Sequence, residues 1–376
     1  MLNQSRTATR DFRIDNIKGI LILLVVFGHL LELVIKDNEL AHMVYCVIYM
    51  FHMPLFIFTT GYFAKHNWKK LFCHIIYPYL VFQTLYILFA RVILHTKQVW
   101  EYDTPYWLLW YLFAVAVWTA VMPLWNRKIR QKGGKYKQQA DKGSDTNRIV
   151  SEKKYDLRDQ GILFLLVVVA LLCGNWSFVG RDYSLSRILV FFPFFAAGAF
   201  ARKSNDFLKK CLRVACLCVC VMILFLVAKN HTMINRNWLY EATSYEISHY
   251  GVGFRALHLF VGFLVTVTVM NWIPNRKIAG LNQLGGATMQ IFLLHGFLIK
   301  LLEKYGFGQA LIKFTVTAAG MTGQPVNSLF LSKIIAVMIL FITAVIIVNI
   351  LSIKLFTDLM KPLTSFDFFW KQSKDQ

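Results

Sequence analysis

The chain has 376 residues, of which 57% are hydrophobic and only 16% are charged, and its mean hydropathy is +0.49. Soluble domains carry about 25% charged residues, so this composition excludes a soluble globular protein. The formal net charge is +21, but the basic residues lie between apolar runs rather than on one compact face, which argues against a nucleic-acid partner.

Long apolar runs follow one another along the chain. A helix needs about 20 apolar residues to cross the hydrocarbon core, and run lengths of this kind exclude a closed sheet. Ten runs qualify, at residues 17–35, 43–63, 71–95, 106–125, 161–178, 186–202, 209–228, 252–272, 283–303 and 327–353. The fifth and sixth are short, so nine or eleven spans stay open. We predict an all-α polytopic membrane protein with one membrane domain over residues 1–376.

The first run is long enough to span and has no small-residue cleavage site behind it, so we expect it to stay as the first helix. Most of the 41 Lys and Arg residues fall on one side of this topology, which predicts that both termini are cytoplasmic. The segment 126–160 is polar and mixed in charge, and we interpret it as a cytoplasmic linker.

The seven cysteines mostly lie in or beside apolar runs. Their cluster from Cys211 to Cys220 has no His-rich partner nearby in the sequence. We therefore interpret them as small hydrophobic residues in helices, neither a disulfide framework nor zinc ligands, and we predict no metal site.

Four histidines lie well away from the ends of their apolar runs, where an ionisable residue is costly and indicates function by default. His29 lies in the first run, His52 near the middle of the second, and His295 near the middle of the ninth. His258 lies in the outer half of the eighth. The alternative is that each simply forms a hydrogen bond between helices, and for His258 we favour that interpretation.

The first run also carries a lysine at an informative spacing. Lys18 and His29 are eleven residues apart, about three helical turns, so both point the same way at a separation of about 16 Å. Asp15 lies one turn before Lys18. A cofactor held at the cytoplasmic end could therefore extend a reactive arm to His29 near the midplane. Lysines in the positions of Lys18, Lys69 and Lys70 are more often interfacial anchors that reach lipid phosphates.

Aromatic residues cluster at the outer end of the fourth run. Such residues usually form an interfacial belt, although sugar rings also stack on exposed aromatic faces. We favour the belt for most members of the cluster, which are Trp100, Tyr102, Tyr106, Trp107 and Trp110.

The sequence resembles the membrane acyltransferase family often called acyltransferase 3, particularly its fucose 4-O-acetylase-like branch. Four stretches, in order and across nearly the whole chain, carry the resemblance. They are residues 13–19 (RIDNIKG) running into 25–29 (VVFGH), 51–56 (FHMPLF) with 60–63 (TGYF), Arg187 with 191–195 (FFPFF) and Gly198, and 284–288 (LGGAT) ahead of Leu294 and His295.

The resemblance implies an enzyme of ten or eleven helices that takes an acyl group, usually acetyl, from a coenzyme A thioester on the cytoplasmic side. The acceptor is commonly a hydroxyl of a sugar or surface polymer at the other face. The essential histidine of the family corresponds to His29, and its basic partner to Lys18. Family members often have arginine at the latter position, and lysine lacks the bidentate fork. The basic cluster after the second helix is represented by Lys65, Lys69 and Lys70.

We therefore predict an O-acyltransferase of a bacterial plasma membrane, with acetyl-CoA or another acyl-CoA as donor and a carbohydrate as acceptor. His29 would deprotonate the acceptor or be acylated itself. His52 would orient the acceptor or stabilise the oxyanion, and Asp15 would pair with Lys18. His295, Trp107 and Arg187 are the candidate substrate-binding residues. The alternatives are a transporter or flippase, and a sensor or scaffold that uses the 126–160 loop.

Overall fold

A computed structural model describes residues 11–125, 157–180, 182–201, 210–320 and 325–367. Within these ranges the chain is helical and contains no strand. The first eight α-helices are α1 (Phe12–Leu31), α2 (Glu39–Tyr49), α3 (His52–Phe63), α4 (Trp68–Leu71), α5 (Tyr77–Val92), α6 (Trp110–Trp125), α7 (Leu157–Leu172) and α8 (Leu185–Ala201). A π-helical turn, Phe72–Ile76, joins α4 to α5.

The second half continues in the same manner. Its helices are α9 (Lys210–Lys229), α10 (Tyr245–Ser248), α11 (Val252–Trp272), α12 (Ala279–Gly286), α13 (Thr288–Lys304), α14 (Phe307–Gly320), α15 (Pro325–Leu351) and α16 (Lys354–Thr364). Short 3₁₀ segments lie between helices in both halves of the chain, at Trp107–Leu109, Cys173–Asn175, Asp182–Ser184, His231–Met233 and Arg236–Tyr240.

In these described ranges, nine helices are long and apolar enough to cross a membrane. The pair α12 and α13, bent by 78° at its break, brings the number to ten if it is counted as one span. The prediction of a polytopic helical membrane protein is therefore confirmed. Of the predicted 126–160 loop, residues 157–160 belong to α7, and the remainder lies outside the described residues.

The first predicted run ends earlier in the structure than its hydropathy indicates. Helix α1 stops at Leu31, and the chain continues through turns as far as Asp37. Val34 and Ile35 are still buried in the core, so apolar character alone could not reveal the end of the helix. As a result, His29 lies in the last turn of α1 rather than well inside it.

The second run is broken into α2 and α3 around Met50 and Phe51. Pro54 has no backbone N–H, so it cannot donate to the carbonyl of Met50 and a continuous helix would lose a hydrogen bond there. The break places His52 at the first position of α3. Pro193, by contrast, lies inside the unbroken α8.

Helix α1 is the central element of the bundle, with twelve of its twenty residues buried. Its inner end, at Phe12, is the end that the charge distribution predicts to be cytoplasmic, and its outer end is at Leu31. At the inner end the buried Asn16 donates hydrogen bonds to the carbonyls of Pro274 (3.2 Å) and Arg276 (2.9 Å). The segment after α11, predicted cytoplasmic, therefore contacts the start of α1.

Glycines permit two close helix crossings. A Cβ atom on Gly61 of α3 would overlap the carbonyl oxygen of Phe195 in α8, and one on Gly198 of α8 would overlap that of Phe58 in α3. Gly19 of α1 and Gly285 of α12 contact each other's helix in the same reciprocal way. Small residues allow helix backbones in a bilayer to approach and gain van der Waals contact. All four glycines belong to the stretches that carried the family resemblance or directly adjoin them.

A second buried interaction holds the segment between α9 and α11. Arg255 of α11 donates to Glu241 (Nε to Oε2, 2.8 Å), and both side chains are fully buried. Tyr250 donates to the same oxygen at 2.6 Å, and Nδ1 of His258 lies 3.0 Å from Oε1. His258 thus makes a hydrogen bond between elements, the interpretation that we favoured for it. The network immobilises the residue next to Tyr240.

We expect Gly198→Ala to lower the unfolding midpoint of the purified protein in detergent, because the added methyl group forces α3 and α8 apart. Overpacking of this kind costs about 1–3 kcal/mol. Gly161→Ala is the matched control, since no atom lies within 4 Å of the Cβ it would add. Equal midpoints for the two variants in a thermal scan would contradict the close crossing.

We expect Arg255→Leu to destabilise the fold strongly, because it leaves Glu241 buried without its cationic partner. Removing one member of a buried pair costs about 3–5 kcal/mol. The control is Lys333→Leu, which breaks an ion pair of similar length (3.0 Å) with the exposed Glu39 and should leave the midpoint nearly unchanged. A small effect of Arg255→Leu in the same thermal scan would refute the structural role of this pair.

Candidate functional site

A cavity of about 380 Å³ lies toward the outer end of the bundle, and four of the predicted site residues line it: His29, His52, Trp107 and Arg187. The rest of its wall is mainly aromatic and aliphatic, with contributions from the helices α1, α3, α6, α8 and α13 and from the segments that precede α6 and α10. Pockets that bind small molecules typically have this size and character. Residues far apart in the sequence are thus gathered around one space.

The glycine before His29 leaves space for an aromatic ring beside the imidazole. Gly28 has no side chain, and a Cβ there would lie 2.8 Å from the ring of Tyr49. The space lets Tyr49, from α2, pass beside α1, so that its hydroxyl lies 3.4 Å from Nδ1 of His29. Trp107 closes another side, with its ring centroid 4.7 Å from that of His29.

Glu32, which the sequence interpretation did not single out, is the carboxylate beside His29. Its Oε1 atom lies 3.4 Å from Nδ1 of His29. The same oxygen accepts hydrogen bonds from Tyr49 (2.8 Å), Tyr240 (3.1 Å) and Tyr45 (3.2 Å). One carboxylate oxygen therefore gathers side chains from α1, from α2 and from the Arg236–Tyr240 segment.

The environment of Glu32 keeps it ionised. Burial, the largest single influence, would raise the pKa of this carboxyl, but the hydrogen bonds from His29, Tyr49 and Tyr240, together with the charge of His29 whenever that ring is protonated, outweigh burial and lower the pKa below its ordinary value. A carboxylate facing Nδ1 favours the tautomer with the proton on Nδ1. The lone pair of the imidazole then lies on Nε2, where it can accept a proton from a bound hydroxyl.

His52 is held in the same tautomer by a different partner. Its Nδ1 atom lies 2.9 Å from the carbonyl oxygen of Ile48, and a carbonyl can only accept, so Nδ1 carries the hydrogen. This carbonyl lies in the last turn of α2, just before the break between the helices. The neutral ring therefore offers a hydrogen-bond acceptor, not a donor, at Nε2.

His295 lies behind His29 rather than on the cavity wall. The two imidazole rings stack, with centroids 5.5 Å apart and an interplanar angle of 27°. Nδ1 of His295 lies 2.9 Å from the carbonyl of Ile291, and the side chain is completely buried. Its location supports a role in holding the His29 ring more than direct substrate contact, so its predicted substrate-binding role stays a prediction.

Arg187 lies across the cavity from the histidines, at the start of α8. Its Nε donates to the carbonyl of Tyr240 (3.1 Å), and its guanidinium carbon lies 4.9 Å from the ring centroid of Trp110. Arg187 thereby fixes the backbone of Tyr240, whose hydroxyl donates to Glu32. Trp107 and Trp110, predicted as belt residues or sugar platforms, both line the cavity.

The structure does not bring the remaining predicted residues to this cavity. Lys18 lies near the inner end of α1 with its ammonium group 4.4 Å from the ring of Phe63, and eleven residues of helix place it about 16 Å from His29 along the axis. Asp15 lies one turn further away. Lys65, Lys69 and Lys70 are exposed, and Lys69 lies 3.6 Å from Asp367.

The sequence contained a signal for Glu32 that was missed. An acidic residue three positions after His29 lies on the same helix face or its continuation, and such a pair could have been recognised without coordinates. The tyrosines offered no such signal, because Tyr45 and Tyr240 are nearly two hundred residues apart. Their hydroxyls nevertheless lie 2.8 Å from each other.

Comparison with known proteins gives the family. The model of the family described as "Acyltransferase domain" matches residues 11–353, which is nearly the whole chain. No solved structure shows significant similarity.

Two curated relatives share part of the sequence, and both are named nodulation protein NolL. The protein from Sinorhizobium fredii (strain NBRC 101917 / NGR234) is 33% identical over 138 residues, and the one from Mesorhizobium japonicum (strain LMG 29417 / CECT 9101 / MAFF 303099) is 32% identical over 142 residues. The matches cover 31% and 32% of this chain, and only 38% of the length of each relative. The chain belongs to the acyltransferase 3 family of multi-pass membrane proteins.

Proposed function

We propose that the protein moves an acyl group, usually acetyl, from cytoplasmic acyl-CoA to a hydroxyl of a cell-surface or exported carbohydrate, within a bacterial plasma membrane. The observation that carries this proposal is the pairing of His29 with Glu32 at the wall of a cavity of substrate size. An imidazole oriented by a carboxylate is the arrangement that activates a hydroxyl for attack on a carbonyl carbon.

In the proposed reaction His29 acts as general base. Nε2 takes the proton from the acceptor hydroxyl while its oxygen forms the new C–O bond to the thioester carbonyl carbon. The C–S bond then breaks, and the proton passes from Nε2 to the leaving thiolate, so that an ester and the coenzyme A thiol are released. The ionised Glu32 stabilises the imidazolium that exists between the two proton transfers.

The tautomer of His52 supports one of the two roles considered for it. With Nδ1–H donating to Ile48, the neutral ring has no N–H left to stabilise an oxyanion. Its Nε2 can instead accept a hydrogen bond from an acceptor hydroxyl. His52 is therefore proposed to orient the acceptor beside His29.

The donor is proposed to bind at the inner end, where Lys18, Lys65, Lys69 and Lys70 supply positive charge for the phosphates of coenzyme A. The separation of about 16 Å between Lys18 and His29 has to be crossed by the flexible arm that carries the thioester. Transport without chemical change would explain buried histidines, but it gives no reason for a carboxylate to hold Nδ1 of His29.

We expect His29→Asn to reduce acetyl transfer by about 10²–10⁴-fold, the usual contribution of a general base. Asparagine keeps a hydrogen-bond donor for Glu32 but removes the basic Nε2. The assay is transfer of labelled acetyl from acetyl-CoA to a panel of sugars by purified protein. His95→Asn, at an exposed histidine, should retain wild-type activity. Transfer by His29→Asn at the wild-type rate would exclude the general base, and translocation of an unmodified sugar would favour the transporter.

We expect Lys18→Gln to raise the KM for acetyl-CoA while leaving the KM for the acceptor unchanged, because its ammonium group would contact the donor alone. Loss of one charge-assisted contact corresponds to about a tenfold change. The control is Lys354→Gln, an exposed lysine that follows the last span. A donor KM that is the same in both variants and in the wild type would remove Lys18 from the donor site.

A further inference from the structure

A second cavity, of about 250 Å³, adjoins the first at the outer end of the bundle. His29 and Trp107 line both cavities, so these two rings form the shared wall between them. The second cavity receives side chains from the turn after α1, from the Arg236–Tyr240 segment, from α13 and from the start of α14. None of the roles proposed above uses this second cavity.

The two cavities differ in chemical character. Among the described residues, the first is lined by two histidines and one arginine, Arg187, and otherwise largely by aromatic and aliphatic side chains. The second is lined by six side chains that carry charge, namely Glu32, Lys36, Asp37, Arg236, Lys300 and Glu303. Leu33 and Ile299 are its main aliphatic contributors. An acyl thioester and a polyhydroxylated ring would therefore partition between different cavities.

Some charged side chains of the second cavity are held by contacts within the protein, and others form no ion pair in the described part of the chain. Lys300 lies 2.8 Å from Glu303 and 4.7 Å from the ring centroid of Trp107, so its position is fixed by both. Glu32 is held by His29 and the tyrosines. In the part of the chain that the structure describes, Lys36 and Arg236 form no ion pair.

We propose that the second cavity is the acceptor subsite and that it takes a sugar ring, an inference that rests on the proposed function. A sugar hydroxyl both donates and accepts hydrogen bonds, so it can use a cation and a carboxylate side by side. Lys36 and Arg236 supply donors, Asp37 supplies an acceptor, and Trp107 supplies an aromatic face. Because the cavity wall carries both positively and negatively charged side chains, it suits a polyol better than a ligand made only of anionic groups.

The location of this cavity meets the geometric requirement of the reaction. An acceptor hydroxyl has to come within hydrogen-bond reach of His29, and a ring in the second cavity abuts His29 directly. The thioester would reach His29 through the first, more apolar cavity. The reacting hydroxyl would extend from this ring past His29 to the first cavity, where Nε2 takes its proton, its oxygen attacks the thioester carbonyl carbon, and a neighbouring hydroxyl of the sugar donates to His52.

The test compares Lys36→Met and Arg236→Met with the control Lys97→Met, an exposed lysine that does not line the cavity. Purified full-length protein in detergent receives acetyl-CoA and a panel of p-nitrophenyl glycosides (fucoside, rhamnoside, glucoside and N-acetylglucosaminide). The glycoside that the wild type acetylates best is used for the kinetics. We expect the KM for this glycoside to rise about tenfold in each variant, the loss of one hydrogen bond to a charged group, while the KM for acetyl-CoA stays within about twofold.

The outcomes separate the inference from the function on which it rests. If the wild type acetylates a glycoside but neither variant changes its KM, the acceptor subsite is wrong and the acyltransferase stands. A parallel rise in the KM for acetyl-CoA would likewise refute the assignment, because the cavity would then serve the donor. If the wild type acetylates no glycoside, both the inference and the carbohydrate acceptor are refuted. Lys36 is exposed, so its substitution should not prevent folding.

Discussion

The outer half of this protein is organised around the single carboxylate of Glu32. Its Oε1 atom is within 3.4 Å of His29 and accepts hydrogen bonds from three tyrosine hydroxyls. A carboxylate in such a place is costly unless its lone pairs are used, and here the His29 ring and three tyrosine hydroxyls surround Oε1. The same contacts fix the imidazole, the end of α1 and the Arg236–Tyr240 segment, so the site and the fold share one set of interactions.

Glu241, a fully buried carboxylate near Tyr240, follows the same physical rule. Arg255, Tyr250 and His258 use both of its oxygens, and this network anchors the chain immediately after Tyr240. Arg187 donates to the Tyr240 carbonyl from the other side. Tyr240, which donates a hydrogen bond to Glu32, is therefore held by the Glu241 network, by Arg187 of α8 and by the Glu32 carboxylate. These contacts limit the movement of this part of the cavity wall.

Helix α1 connects the two ends of the proposed reaction. At its inner end the glycine crossing with α12 and the hydrogen bonds of Asn16 set its depth in the bundle, and at its outer end Glu32 sets its rotation. Because a helix has a fixed rise, Lys18 and His29 are held about 16 Å apart. A rigid spacer of this kind suits a donor whose headgroup binds at one end and whose thioester reacts at the other.

The sequence by itself determined the membrane fold, nearly all of the spans and the residues His29, His52, Trp107 and Arg187 of the cavity. It could do so because hydropathy and intramembrane polarity are local properties that each segment carries alone. Only the tertiary structure decided that α1 ends at Leu31, that His295 lies behind His29, and that Tyr45 and Tyr240 meet at Glu32. Those facts depend on contacts between segments up to about two hundred residues apart, and no local pattern encodes which hydroxyl will reach which carboxylate.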